Sequence, residues 1–258
     1  MQQVRAKKYL GQHFLKDQNI ACTIVDELIK VFPKGDVLEV GPGMGVLTQF
    51  LLAAPEIKTW AVEVDQESID YLFAKFPVIS EHLIKESILN MNFQKYFAGE
   101  FSIIGNFPYN ISSQIVFTII DNRSKIPFMV GMFQKEVAER LCSPHGSKAY
   151  GIISVIAQAF YDLSYLFTVH ETVFDPPPKV KSAVIRMSRR AEPIDCDEKL
   201  FRNVVKVAFN QRRKKLRNSI GVFGLSDEQL GDFASKRAEQ LSVDDFVKLT
   251  WLVSSTRS

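Results

Sequence analysis

The chain reads as an α/β protein: a mostly parallel sheet with an antiparallel edge strand, followed by a small all-α C-terminal domain. Three observations predict this. Short apolar runs alternate with amphipathic helical patterns along most of the length. The connections between those runs are long enough to carry crossover helices, which parallel strands need. Beyond "RRAEPIDCDEK" the strand pattern stops and only helical patterns remain. The domain boundary is placed there, giving residues 1–190 and 191–258.

Each element has its own signal. "QNIACTIVDELIKV" spaces apolar residues as one helical face and is stopped by Pro33 and Gly35. "DVLEVG" is a short buried strand, "GVLTQFLLAA" a helix ended by Pro55, "KTWAVEVD" a second strand and "QESIDYLFAKF" a second helix. "HLIKESI" is a weaker third strand, "FSIIGN" a fourth, "SSQIVFTIID" a helix and "PFMVGMFQ" a fifth strand. "KEVAERL" starts another helix and "SPHGSKAYG" is a loop. "YLFTVHETVF" and "SAVIRMSR" flank the turn "DPPPKVK" and are expected to form the antiparallel edge pair. In the C-terminal part, Ser226 with Gln229 and Ser242 with Asp245 have capping-box spacing, which starts helices.

Composition narrows the class. With 46% hydrophobic residues, a sizeable core can form and a disordered chain is excluded. Cys22, Cys142 and Cys196 stand far apart without a CxxC pair, and the four histidines are scattered. That argues against a disulfide framework and a metal site, and for a reducing compartment. No apolar run approaches a membrane span, and "MQQVRAKKYL" lacks a signal-peptide core. A cytoplasmic protein without metal or membrane partners is expected, acting as a monomer. The net charge is only +3, yet residues 199–217 carry eight Lys or Arg and no acid. Phe201, Val204, Val205, Ala208, Phe209 and Leu216 give that segment a packing side. Its basic side, with Arg212, Arg213, Lys214, Lys215 and Arg217, suits a polyanion such as RNA.

"DVLEVGPGMGVLTQF" places Gly41, Gly43 and Gly45 between a strand and a helix, where the backbone can turn tightly and approach a ligand. A dinucleotide fingerprint would want glycine at position 46, which is Val46. The G-x-G-x-G spacing is closer to the loop that binds S-adenosylmethionine (SAM). Glu63, 22 residues after Gly41, ends the second strand, where a carboxylate can accept both hydrogen bonds of a ribose diol. This spacing alone fits NAD as well as SAM.

"NFPYN" breaks the tie. Ligands of open α/β sheets bind beyond the carboxyl ends of the strands, and this stretch leaves the fourth strand at that edge. Asn106 offers a side-chain carbonyl. Phe107 precedes Pro108 and is therefore biased to an extended conformation that directs its backbone carbonyl. Two such carbonyls can accept both hydrogens of an exocyclic amine, and Tyr109 offers a flat face to a base.

"NFPYN" resembles the (N/D)-x-P-(Y/F) motif of adenine-N6 methyltransferases. With "KKYLGQHFLKD", "LEVGPGMGVLT", "VEVD", "FDPPPKVKSAVIRM" and "AFNQRRKKLRNSI", nearly the whole chain resembles the small-subunit rRNA adenine dimethyltransferases. The resemblance implies a Rossmann-like class I methyltransferase domain, SAM as cofactor, and a helical RNA-binding C-terminal domain. It implies N6,N6-dimethylation of two adjacent adenosines near the 3′ end of small-subunit rRNA, within an immature small subunit. His13 and Leu15 would lie in an N-terminal segment closing over the cofactor. Gly41 would approach its methionine part, Glu63 would hold the ribose, and Glu86 would sit beside its adenine. Asn106 would bridge cofactor and target amine, Tyr109 would stack on the target base with Pro108 shaping the turn, and Phe174 would be a second aromatic wall. The family often has Asn at the position of His13, Asp at Glu86 and Leu at Phe107.

Three other readings are weighed against this one. A resistance-type methyltransferase of large-subunit rRNA shares the glycine loop and an Asn-x-Pro-Tyr motif, but "DPPPKVKSAVIRM" and "QRRKKLRNSI" match the small-subunit family. A non-catalytic ribosome-assembly factor would not need "GPGMG", Glu63 and "NFPY" intact. An NAD dehydrogenase is weakened by Val46 and by the lack of a catalytic His, Tyr-Lys or Ser arrangement.

Overall fold

A computed structural model describes residues 4–256; residues 1–3, the start of the stretch read as lacking a signal core, and residues 257–258 lie outside them. The chain forms two compact units. One runs through Ala138 and resumes over Leu163–Arg189; the other comprises Glu139–Asp162 and Arg190 onward. The second unit therefore takes in an earlier stretch that a single cut at residue 190 assigns to the first.

The first unit begins with the two-residue strand β1 (Phe14–Leu15) and helix α1 (Gln18–Ile29), whose N-cap Asp17 accepts from the amides of Asn19 and Ile20. There follow β2 (Gly35–Val40), α2 (Thr48–Ala53), β3 (Ile57–Val62), α3 (Gln66–Lys75), β4 (Leu83–Ile84), β5 (Phe101–Asn106), α4 (Ser112–Asp121) and β6 (Phe128–Gln134). Helix α5 (Lys135–Cys142) crosses between the units, α6 (Ile152–Phe160) lies in the second, and β7 (Tyr161–Val169) leads back. β8 (Phe174–Asp175) and β9 (Ser182–Arg189) complete the first unit.

The main sheet has the order β4-β3-β2-β5-β6-β9-β7. β2, β3, β4, β5 and β6 run parallel, whereas β9 is antiparallel to β6. The expected neighbours "YLFTVHETVF" and "SAVIRMSR" do lie side by side as β7 and β9, but the first ends at Val169. Its last residue, Phe174, pairs instead with β1, Leu15 opposite Phe174 and Phe14 opposite Asp175. The central strands β2, β5 and β6 are buried on both faces, as a helix-covered parallel sheet requires. α1 packs Ala21, Ile24, Val25 and Leu28 against Val37, Ile104, Val130 and Val184.

The chain leaves β2 toward β3 and β4, then returns to place β5 on the other side of β2. That reversal opens a crevice at the carboxyl ends of β2 and β5, the usual ligand position in such sheets. The register Glu39 opposite Ile104 brings Gly41 and Asn106 level there.

The second unit is helical after β9: α7 (Glu198–Asn210), α8 (Leu216–Ser219), α9 (Asp227–Leu230) and α10 (Val243–Ser255). α7 buries Phe201, Val204, Val205, Ala208 and Phe209, and Phe209 stacks on Phe246 of α10 at 5.9 Å between ring centroids. Both capping boxes read from the sequence form, at Ser226 and Ser242. Among the described residues no helix is long and apolar enough to cross a membrane.

Candidate active site

The glycine turn follows β2 with all three glycines in the left-handed region, at φ 65° for Gly41, 54° for Gly43 and 75° for Gly45. Two of these positions differ in what a side chain would meet. A Cβ on Gly43 would come within 2.8 Å of the Phe14 ring, so the N-terminal segment can pack there only on bare backbone. A Cβ on Gly41 would meet nothing nearer than Pro108 at 3.8 Å, which leaves that backbone open to the crevice. An approaching ligand needs this arrangement.

Glu63 follows β3 and is 5% exposed. Its Oε1 accepts from the amides of Val64 at 2.8 Å and Asp65 at 3.0 Å, while Oε2 has a 3.4 Å contact to the amide of Gly43. Burial pushes this carboxyl above the ordinary range and the three amides pull it back. Oε2, with one long bond, retains acceptor capacity for hydroxyl donors. Beside it lies a second acid, Glu39, 1% exposed. Burial pushes Glu39 up to about 8; the Thr48 hydroxyl, 2.6 Å from its Oε2, opposes the shift and nearby Glu63 adds to it. Sequence reasoning missed Glu39, although a lone acid inside the apolar run "VLEV" is a signal for it.

A strap from Lys7 to Leu15 passes over this crevice. Lys7 pairs with Asp65 and with Glu67 at 3.2 Å, and Gln12 reaches Asp65 at 3.5 Å. Asn106 donates its Nδ2 to the His13 carbonyl at 2.8 Å, and Asn110 donates to the Tyr9 carbonyl at 3.2 Å. The β1–β8 pair ties down the far end, helped by the Lys16 amide donating to the Val173 carbonyl at 2.8 Å. A carbonyl only accepts, so the amino group of Asn106 must face the strap. Its Oδ1 is thereby fixed on the other side.

Next to Asn106, the Phe107 ring fills space that two glycines leave bare: a Cβ on Gly131 would lie 2.1 Å from it and one on Gly105 2.8 Å. The ring is 1% exposed and meets Phe133 edge-on at 5.0 Å, which holds the backbone of residue 107 in place. The Tyr109 hydroxyl lies 2.5 Å from the Ser182 hydroxyl, and burial raises the phenol's pKa. The His13 ring stands 5.2 Å from the Tyr109 ring, tilted by 30°. Its Nδ1 lies 2.8 Å from the Pro176 carbonyl and therefore carries the hydrogen.

The cleft so formed is lined by His13, Gly41, Glu63, Asn106, Pro108 and Tyr109, all expected from the sequence. Gln12, Phe14, Val64, Ser87 and Leu89 also line it, and sequence reasoning missed them. Three expected residues are placed elsewhere. Leu15, the last residue of the strap, and Phe174, paired with it, belong to the core, 3% and 1% exposed. Glu86 accepts from the Tyr96 hydroxyl at 2.7 Å, and its neighbours Ser87 and Leu89 face the cleft instead.

In the second unit the basic segment divides. Arg212 binds the Lys148 carbonyl and lies 3.8 Å from Glu239, while Arg217 pairs with Asp227 at 2.6 Å. Arg213, Lys214 and Lys215 are exposed, with no side-chain partner among the described residues. A backbone bridge sets Lys215 opposite Arg237, which is exposed as well. Sequence spacing gives no hint of that pairing.

The switch-point crevice, its three-glycine turn and the buried acid define a Rossmann-like methyltransferase that uses SAM. The same fold occurs in a dimethyladenosine transferase from Plasmodium falciparum, with a TM-score of 0.80, 23% identity and coverage of 95% of this chain and 98% of that one. It occurs as well in the 23S rRNA methyltransferase ErmE, with a TM-score of 0.71, 21% identity, and coverage of 93% and 99%. The family profile "Ribosomal RNA adenine dimethylase" matches residues 3–252. A ribosomal RNA small subunit methyltransferase A from Flavobacterium johnsoniae is 56% identical over 254 residues, 97% of this chain and 96% of its own. The chain therefore belongs to the ribosomal RNA adenine dimethylase family.

Proposed function

We propose that this enzyme dimethylates N6 of two adjacent adenosines near the 3′ end of small-subunit rRNA, within an immature small subunit in the cytoplasm. The observation that carries the reading is the amide of Asn106: its Nδ2 is committed to the His13 carbonyl, which leaves Oδ1 as an acceptor on a residue that lines the cleft with Gly41 and Tyr109. The naming of the 56% identical relative supports the small subunit over the large one.

Gly41, Gly43 and Glu63 suit SAM: open backbone for the methionine part and a held carboxylate for the ribose diol. When bound, that cofactor supplies a methyl group on a positively charged sulfur. Asn106 Oδ1 and the Phe107 carbonyl accept the two N6 hydrogens of the target adenine. This holds the nitrogen and turns its lone pair out of ring conjugation, so positioning and hydrogen bonding supply the catalysis. Transfer would leave the demethylated thioether and a cationic N6, which sheds one proton to water; in the second round a single N6 hydrogen remains, and one of the two carbonyls suffices. Tyr109 stacks on the base, with its ring direction set by Ser182. The second unit serves as the RNA-binding domain, with Arg213, Lys214 and Lys215 on phosphates and Arg212 and Arg217 shaping the turn that carries them. Arg237, bridged to Lys215, adds a further cation there.

The test is to supply labelled SAM with immature small subunits, naked small-subunit rRNA or large-subunit rRNA, and then to locate the methylated base. Two dimethylated adenines in immature small subunits are expected. Methylation of large-subunit rRNA instead, or SAM binding without transfer to any RNA, would overturn the reading.

A further inference from the structure

We infer that Tyr9 is a stacking platform for a nucleobase flanking the target adenine; the inference rests on the function proposed above. Tyr9 is 76% exposed, although single exposed apolar residues usually need no explanation. Its position sets it apart. The next two residues, Leu10 and Gly11, line the cleft, as does Asn110, which donates to the Tyr9 carbonyl. A Cβ on Gly11 would come within 2.7 Å of the Asn110 side chain, so this part of the strap is pressed onto the rim. Its ends are tied down at Asp65 and at β8. The backbone is thus anchored while the ring is left in water.

The surroundings specify the occupant. Lys8 and Arg5, in the same segment, are exposed and have no side-chain partner among the described residues. A flat ring in the same short segment as two cations, at the mouth of a cleft that takes a nucleobase, is complementary to an RNA strand: phosphates for the cations and a π-face for the ring. A base lifted into the cleft leaves its neighbour without a stacking partner, and Tyr9 replaces that partner. The platform lowers the cost of extruding the target. Aromatic stacking tolerates any base, so Tyr9 contributes affinity without reading sequence.

Aromaticity is the decisive variable. With immature small subunits as substrate, Tyr9→Ala and Tyr9→Leu are expected to lower kcat/KM about 5- to 100-fold, the range for removing one base stack. Tyr9→Trp should stay within about twofold of wild type, because the stack is retained. SAM affinity, measured by calorimetry, should be unchanged in all three. As an independent readout, p-benzoylphenylalanine at position 9 should crosslink to a nucleotide next to a methylated adenine. Wild-type kcat/KM in Tyr9→Ala, equal activity of the Leu and Trp variants, or a crosslink far from the target would overturn the inference. A wild-type enzyme that fails to methylate small subunits would instead overturn the proposed function.

Discussion

Asn106 donates its side-chain amide to the main-chain carbonyl of His13, 93 residues away in sequence, at 2.8 Å. The hydrogen bond joins the end of β5 to the strap that covers the crevice, and it decides which end of the amide faces the cleft. Asn106 is therefore oriented by the N-terminal segment and not by its own strand alone.

If the strap holds Asn106, loosening the strap at its other anchor should slow chemistry even when both substrates are saturating. Lys7→Met with Gln12→Leu removes the bonds to Asp65 while leaving the cleft's other walls intact. Single-turnover methylation at saturating SAM and saturating small subunits should slow several-fold. A wild-type rate would show that Asn106 keeps its orientation without the strap.

Glu63→Ala should weaken SAM binding by about 1.5–3 kcal/mol, the usual range for hydrogen bonds to a charged group. Calorimetric titration measures this directly. Equal affinity in the variant, or tight NAD binding by the wild type, contradicts the ribose assignment.

Glu39 makes stability depend on pH. Its folded value of about 8 exceeds the ordinary 4.5, so the folded state holds a proton that the unfolded chain releases. Its stabilising contribution is full below about 4.5, falls as pH rises, and is lost above about 8. Denaturant midpoints measured across this window should decline for the wild type and stay flatter for Glu39→Gln. Parallel curves would mean that Glu39 is ionised in the fold.

Replacing Arg213, Lys214 and Lys215 together with Gln should reduce the log–log salt slope of RNA binding by about 2 to 3 units, one for each phosphate that is no longer neutralised. Arg212→Gln should instead act on stability, because it removes the bonds to Lys148 and Glu239 within the second unit. A slope lowered equally by Arg212→Gln would return that residue to the phosphate-binding group.

What could be read from sequence follows from how local its signals are. The strands of the main sheet, the glycine turn, Glu63 and "NFPYN" each announce themselves within a few residues, through apolar runs, positive-φ glycines and a proline-restricted turn. The strap does not. β1 and β8 have two residues each, too few for any periodicity, and their pairing spans residues 14–175. For the same reason the sequence does not show that Leu15, at the end of the strap, and Phe174 pair with each other and enter the core. Helix α6 buries Ile153, Ser154, Val155, Ile156 and Ala157 in succession, so no polar face shows which unit it serves. The basic run can be counted, but its division into paired Arg212 and Arg217 and exposed Arg213, Lys214 and Lys215 depends on Glu239 and Asp227, acids outside the run.

Single-turnover methylation of immature small subunits by Asn106→Ala, with saturating SAM, bears most directly on the mechanism. The variant removes the oriented carbonyl that holds the target amine as positive charge develops on its nitrogen. Removing one such hydrogen bond should slow methyl transfer by about 10²–10³, while RNA affinity, supplied by phosphates and stacking, stays near wild type. Transfer to adenine N6 at the wild-type rate would contradict the account.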